Sequence, residues 1–321
     1  MPPGVCPQPG CHIEENLPCV MGSDPTHCKY LKNGGERIAP AGISWDKAAH
    51  AVPWTGNTFG GEDVTFVSGR SKPRLVGIIG PHNAGKTTFL SNMYLRLGDG
   101  HRIGTQMFAG SYTLGGWENV ASPLRWAAGQ PPTFPPHTSS NSGRQPGLLH
   151  VALRNSLDRV QDVLFTDAPG EWFERWASNK NDPDAEGARW ISHHADSFML
   201  VVDCEALAGS HPGIARAQLK LLLLRLADEA RFRRVAVIWA KSDIAIPETL
   251  RADLAWNFGE RLPYYREFKV SAYPSGGVED LSAGFLEAVT WLLSVNKDIH
   301  VWVPRLSIKY PDDPFLRYGQ S

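Results

Sequence analysis

The chain has 321 residues, 42% of them hydrophobic, and its 32 lysines and arginines are matched by 33 aspartates and glutamates. That is enough apolar material for one large domain with additions, and the balanced charge argues against nucleic acid as the main partner, since such binding rests on a basic surface. No apolar run approaches the ~20 residues that span a bilayer, and Pro and Cys stand at the N-terminus where a signal peptide would be apolar. A cytoplasmic protein with reduced thiols and no membrane role is therefore expected.

Four of the five cysteines, Cys6, Cys11, Cys19 and Cys28, fall in the first 28 residues beside His12 and His27. Four thiolates so close suit a tetrahedral zinc site holding a segment with little core of its own. The spacing lacks a C-x₂-C knuckle. A loosely ordered tail with incidental thiols stays open, and a disulfide pair is disfavoured by the compartment. Residues 1–35 thus read as a small Cys-rich, zinc-binding unit. Residues 36–73 ("AVPWTGNTFGGEDVTF" within them) read as a linker packed on the next domain, with one strand in 63–67.

"RLVGII" (74–79) is a short β-branched apolar run, the mark of a buried parallel strand. "GPHNAGKT" (80–87) comes next and fits G-x-x-x-x-G-K-[ST]. Small residues there let backbone N–H groups wrap a triphosphate. Lys86 would reach the outer phosphates and the Thr87 hydroxyl would ligate Mg²⁺. "KTTFLSNMYLRL" carries Phe89, Leu90, Met93 and Leu97 at helical spacing, with Gly98 as a stop. Residues 99–146 read as a long insertion, with a short helix around "WENVASPLRWAA" and then a Pro/Gly/Ser-rich loop; such loops are functional or disordered.

"LLHVALR" (148–154) and "DVLFTDAPG" (162–170) predict an antiparallel pair. "SFMLVVD" (197–203), "RVAVIWAKSD" (234–243) and "EFKVSAY" (267–273) predict further strands, and Cys204 reads as an ordinary buried thiol. Helices at 213–230 (Ile214, Leu221, Leu222, Leu226) and 279–294 separate them. This alternation implies an α/β layer fold with a mostly parallel sheet. The tail, 296–321, offers one short strand, "HVWV" (300–303).

Each strand end carries a specific group. Asp167 in "DAPG" stands where a phosphate-loop enzyme places an acidic group near Mg²⁺, and the Gly170 N–H could meet the γ-phosphate. Asp243 in "AKSD" can accept both N–H donors of guanine's Watson–Crick edge, with the Lys241 stem along the base plane. Adenine offers no such pair. A backbone N–H of "SAY", at Ser271 or Ala272, could meet guanine O6.

The ordered set GPHNAGKT, DAPG, AKSD and SA resembles the translation-factor-related class of GTPases, the broad group containing Ras-like proteins, over residues 74–295. The insertion before "GLLHVALR" and the segment "DAPGEWFERWA" are similar to the bacterial double-GTPase families, paired GTPases of predicted biological-conflict operons. The resemblance implies a three-layer P-loop fold with one antiparallel edge strand. It implies a nucleotide site of Gly80, Asn83, Ala84, Gly85, Lys86, Thr87, Thr88, Gly170, Lys241, Asp243, Ser271 and Ala272, and Mg²⁺ held by Thr87, Asp167 and a threonine of the insertion. Thr138 is the choice for that threonine, with Thr133 and Thr113 as alternatives. Lys86, Glu171 and Thr138 would serve hydrolysis.

Three departures bear on activity. Ala240 replaces the usual Asn or Thr of the base-reading motif, removing one side-chain contact. Glu171 replaces the glutamine that positions the attacking water, and its charge would repel the γ-phosphate, so intrinsic hydrolysis should be slow unless a partner supplies an arginine. Asn83 holds the place of the asparagine that binds K⁺ in potassium-activated, dimerising relatives; alternatively it only eases the turn. His82 is bulky where many relatives have glycine and is assigned no chemistry. His193 and His194 read as a solvated helix terminus, as does "RFRR" (231–234), which could also dock an acidic partner.

The expected function is a GTP-hydrolysing switch working with a protein partner, either a second GTPase or its own copy, in a bacterial anti-phage setting. The alternative is a non-hydrolysing scaffold with GTP as a structural cofactor. An ATPase and a membrane-remodelling protein are disfavoured.

Overall fold

The computed structural model describes residues 57–69, 71–125, 133, 146–272, 281 and 283–294. Cys6, Cys11, Cys19, Cys28, Thr138 and the 300–303 segment lie outside them.

Seven strands form one sheet: β1 (Arg74–Ile79), β2 (Met107–Gly110), β3 (Gly147–Arg154), β4 (Val160–Asp167), β5 (Ser197–Asp203), β6 (Val235–Ala240) and β7 (Tyr265–Lys269), in the order β2-β3-β4-β1-β5-β6-β7. β1 pairs in parallel with β4 and β5, and β5, β6 and β7 continue in parallel. β3 runs antiparallel to β4, with Leu149 opposite Phe165, as its short turn requires. The expectation of an antiparallel edge strand needs correcting. β3 is the second strand, because β2 pairs antiparallel with it on the outside, through a bulge between Phe108 and Gly110. Four residues in a loop-rich insertion are too few to show period 2, so β2 left no signal in the sequence.

The strand alternation sorts the core into two layers. Leu75, Ile79, Phe198, Leu200, Val202, Val235, Val237 and Trp239 face α4 (Gly170–Ser178), α5 (Glu186–His194), α7 (Pro212–Ala230) and α8 (Glu248–Arg261). Val76, Ile78, Met199, Val201, Ala236 and Ile238 face α2 (Lys86–Gly98), α3 (Leu114–Ala121) and α9 (Gly284–Leu293). Two further short helices are α1 (Val64–Ser68) and α6 (Cys204–Ala208). Buried apolar residues on both strand faces are what a parallel sheet covered on both sides demands.

Several local expectations change. Residues 64–68 form α1 rather than a strand: the Thr65 hydroxyl donates to Glu62 O and the Ser68 hydroxyl to Thr65 O, contacts made within a helical turn. Just before it, Phe59 is buried and bridges Leu148. α2 includes Gly98, and Gly100 (φ 85°) supplies the left-handed residue at its end. In α7 the apolar run exceeds one face, so Leu222 and Leu226 are buried while Ile214 and Leu221 are exposed. "RFRR" is no simple solvated end. Arg233 donates to Ser192 O and Ala195 O and stacks on Phe198, and Arg234 reaches Trp291 O; Arg231 and Phe232 project, the latter 70% exposed.

Among the described residues, no helix is long and apolar enough to cross a membrane. Cys204 is buried, and burial pushes its thiol up to about 12.

Candidate nucleotide site

β1 delivers the chain to Gly80 and α2 takes it up at Lys86. Between them Asn83 (φ 57°) and Gly85 (φ 93°) are left-handed, the second a conformation in which glycine carries no penalty. Gly85 caps α2 without any side-chain bond, so the free N–H groups of the first turn stay available to an anion.

Lys86 is 8% exposed, and its ammonium donates to Gly80 O (3.1 Å) and Pro81 O (2.9 Å). Burial pulls its pKa down to about 8, against the opposing pull of the Asp167, Glu171 and Glu174 carboxylates. An anionic phosphate favours the ammonium and raises that value in the complex. GDP affinity should therefore be flat below pH 8 and fall above it, by up to about tenfold per pH unit, until the pKa of the complex is reached. Titration calorimetry at pH 7, 8 and 9 checks this, and equal affinities throughout would refute the assignment.

The Thr87 hydroxyl donates to Asp167 Oδ1 at 3.1 Å, which brings together the two groups expected to hold Mg²⁺. One hydroxyl and one carboxylate suit this ion, which completes its octahedron with phosphate oxygens and waters. Among the described residues there is no cluster of three or more His, Cys, Asp or Glu that could hold a metal.

β4 then passes through Ala168 and Pro169 into α4, pressed hard against the phosphate loop. A Cβ on Gly170 would lie 2.2 Å from His82 N and 2.5 Å from Pro81 C. Glu174 Oε1 accepts from the His82 N–H (3.0 Å), and His82 Nδ1 lies 3.1 Å from Glu171 Oε1. The other Glu171 oxygen is shielded and has no hydrogen-bond partner. His82, assigned no chemistry on sequence grounds, thus touches Glu171, the residue expected to stand near the attacking water. Sequence alone offered no signal beyond its bulk.

At the other end, Asp243 Oδ1 accepts from the Ser271 hydroxyl (2.7 Å), which fixes the carboxylate of the base-reading motif. Lys241, left-handed at φ 54°, places its ammonium 2.9 Å from Asn83 O, 2.9 Å from Asp203 Oδ2 and 2.8 Å from Glu205 Oε2. Burial opposes the charge, and the Glu205 and Asp203 carboxylates more than offset it, raising the pKa above the usual lysine value. Both ends open on one cavity of about 540 Å³, lined by Asn83, Ala84, Gly85, Lys86, Thr87, Thr88, Gly170, Ala240, Lys241, Asp243, Ser271 and Ala272 among others.

The Double-GTPase 2 family matches residues 74–292, more than half of the chain. The chain belongs to that family. It is thereby a P-loop GTPase of the double-GTPase kind, as its motifs suggested. No curated protein matches it. Among solved structures it is similar to one assigned as nucleolar GTP-binding protein 1 from Plasmodium falciparum, at 11% identity and a TM-score of 0.40, over 68% of this chain and 86% of that one.

The other residues singled out in this double-GTPase fall elsewhere. Thr113 is fully buried, and its hydroxyl oxygen accepts from the His150 N–H (2.8 Å), so it does not face the cavity. The Thr133 hydroxyl donates to Pro123 O. Arg175 pairs with Asp184, and Arg189 donates to Lys180 O and Asp182 O, so both hold the turn between α4 and α5 rather than the phosphates. His193 and His194 are exposed, and each ring N–H donates to a backbone carbonyl one turn earlier in α5, at Arg189 O and Trp190 O.

Proposed function

We propose that this double-GTPase is a guanine-nucleotide switch that hydrolyses GTP to GDP, slowly by itself and faster with a partner. Family membership supports GTP binding. The observation that carries the reading is the convergence on one cavity of a phosphate end, Lys86 with the Thr87–Asp167 pair, and a base end, Asp243 set by Ser271. Lys86 and the loop N–H groups would bind the phosphates. Thr87 and Asp167 would hold Mg²⁺, which when bound neutralises charge on the phosphate oxygens. Glu171 would orient the attacking water, with its negative charge limiting the rate. Loss of the γ-phosphate would free α4 from the loop and alter a partner-binding surface.

The missing positive charge would come from a second GTPase, from a second copy of the chain, or from K⁺ at Asn83, whose left-handed backbone leaves its side chain exposed. A conflict or anti-phage setting is proposed on the double-GTPase resemblance. The second reading, a scaffold that holds GTP without cleaving it, is favoured by the engagement of Glu171 with His82 and by Ala240.

The test is phosphate release from GTP by the purified chain in KCl and in NaCl, with ATP in parallel. Turnover of GTP but not ATP, at least about fivefold faster in K⁺, is expected for an enzyme that uses the ion in place of an arginine. Equal slow turnover in both salts would remove K⁺ and leave the partner. Tight binding with no turnover in either salt, and none after addition of a paired GTPase, would favour the scaffold.

A further inference from the structure

We infer that Asp203 and Glu205 are positioning residues for guanine-nucleotide retention, acting through Lys241 and replacing a tie that Ala240 cannot make. The inference rests on the reading of the cavity as a guanine-nucleotide site.

An ammonium has three N–H donors, and here each has an oxygen acceptor: Asn83 O in the phosphate loop, Asp203 Oδ2 at the end of β5, and Glu205 Oε2 in α6. The head of Lys241 is thus held to the phosphate loop from one side and by two carboxylates from the other. Its stem then lines the cavity between the loop and Asp243. Ala240 lies against Gly85, with only a methyl group facing it. Its side chain cannot hydrogen-bond to the loop, so among the described contacts the Lys241 ammonium is the side-chain bond between the base-reading segment and the loop.

The two carboxylates differ in what they do. Asp203 is 7% exposed, and its Oδ1 accepts from the Glu205 and Ala206 N–H groups, capping α6 while Oδ2 takes Lys241. A single buried carboxylate therefore fixes both the lysine and the start of the helix that carries Glu205. Glu205 is largely exposed at the cavity rim and adds the third bond. Without this pair, a long lysine side chain beside the cavity would sample many rotamers, and ordering it would have to occur at the expense of nucleotide affinity.

The test reads dissociation of a fluorescent GDP from the full chain by stopped flow. Asp203→Asn keeps the helix cap, since asparagine also caps, but removes the charge. Glu205→Ala removes a surface group with little risk to folding. Release should quicken about tenfold in Asp203→Asn and about threefold in Glu205→Ala, in line with buried and exposed charged hydrogen bonds respectively. The result a merely structural role would not give is the coupling. In a Lys241→Ala background the Glu205→Ala change should alter release less than about twofold, because its route to the nucleotide is gone. Wild-type release rates in both single variants, or the same threefold effect of Glu205→Ala with and without Lys241, would overturn the inference alone. Absence of saturable GDP binding by the wild-type chain would overturn the underlying reading, and the clamp with it.

Discussion

Lys86→Ala protein is expected to lose guanine-nucleotide binding while its unliganded fold becomes no less stable. Lys86 is nearly buried among carbonyls, and its pKa drops from 10.5 to about 8. That shift corresponds to a cost for the charged form on the order of 3 kcal/mol. Linkage sets the sign. Below pH 8 the lysine is charged in both folded and unfolded chains and the cost is fully present; it is relieved as the pH rises from about 8 to 10.5. The alanine variant, free of that cost but short of the packed stem, should therefore melt at an equal or higher temperature at pH 7. Its relative advantage should fade toward pH 10.5. Binding goes the other way. Two charge-assisted hydrogen bonds to phosphate at about 1.5–3 kcal/mol each amount to a loss on the order of a hundredfold to ten-thousandfold in affinity. Thermal melts at two pH values and GDP titrations check both halves. A variant that binds GDP as the wild type does would disprove the placement of Lys86 at the phosphates.

Gly170→Ala carries the second large effect, and it arises from space rather than from conformation. The added methyl would meet the backbone of the phosphate loop, with His82 N at 2.2 Å and His82 Cα at 2.4 Å, where neither partner is a side-chain end that can swing away. Either the start of α4 or the loop must shift, at a cost of about 1–3 kcal/mol for overpacking. Because Glu171 and Glu174 both reach His82 from α4, the shift would also break those contacts. The variant should keep GDP within a few-fold of wild type, since the base end and Lys86 are untouched. It should lose any preference for GTP and its turnover. Stability by denaturant titration, the GTP-to-GDP affinity ratio and phosphate release measure these separately. Turnover at the wild-type rate would show that the contact between α4 and the loop has no part in reading the γ-phosphate.

The phosphate half of the proposed site was legible from eight consecutive residues, because a loop that wraps phosphate needs small residues and a helix directly after it, and both are local properties of the chain. Asp167 and Asp243 were legible for a related reason: each follows a short apolar strand, and in a parallel sheet the strand ends come together at one edge. The strands themselves announced their places, since residues buried on both faces read as apolar runs, and β1 and β5 appear where "RLVGII" and "SFMLVVD" predict them.

What tertiary structure alone decided are contacts between segments whose spacing in the chain carries no information. The Lys241 ammonium meets Asn83 O across 158 residues, and Asp203 and Glu205 reach it from another strand end. His82 meets Glu171 because Gly170 lets α4 lie directly on the loop. β2 is placed by the free edge of β3, which a four-residue strand can satisfy without any pattern of its own. Thr113 is removed from the metal-ligand candidates by burial against His150, a pairing set by how α3 packs on β3. The sequence by itself determined the fold class and which segments line the proposed nucleotide cavity, because those rest on local backbone chemistry. Which charges hold which depended on side chains brought together by the sheet order.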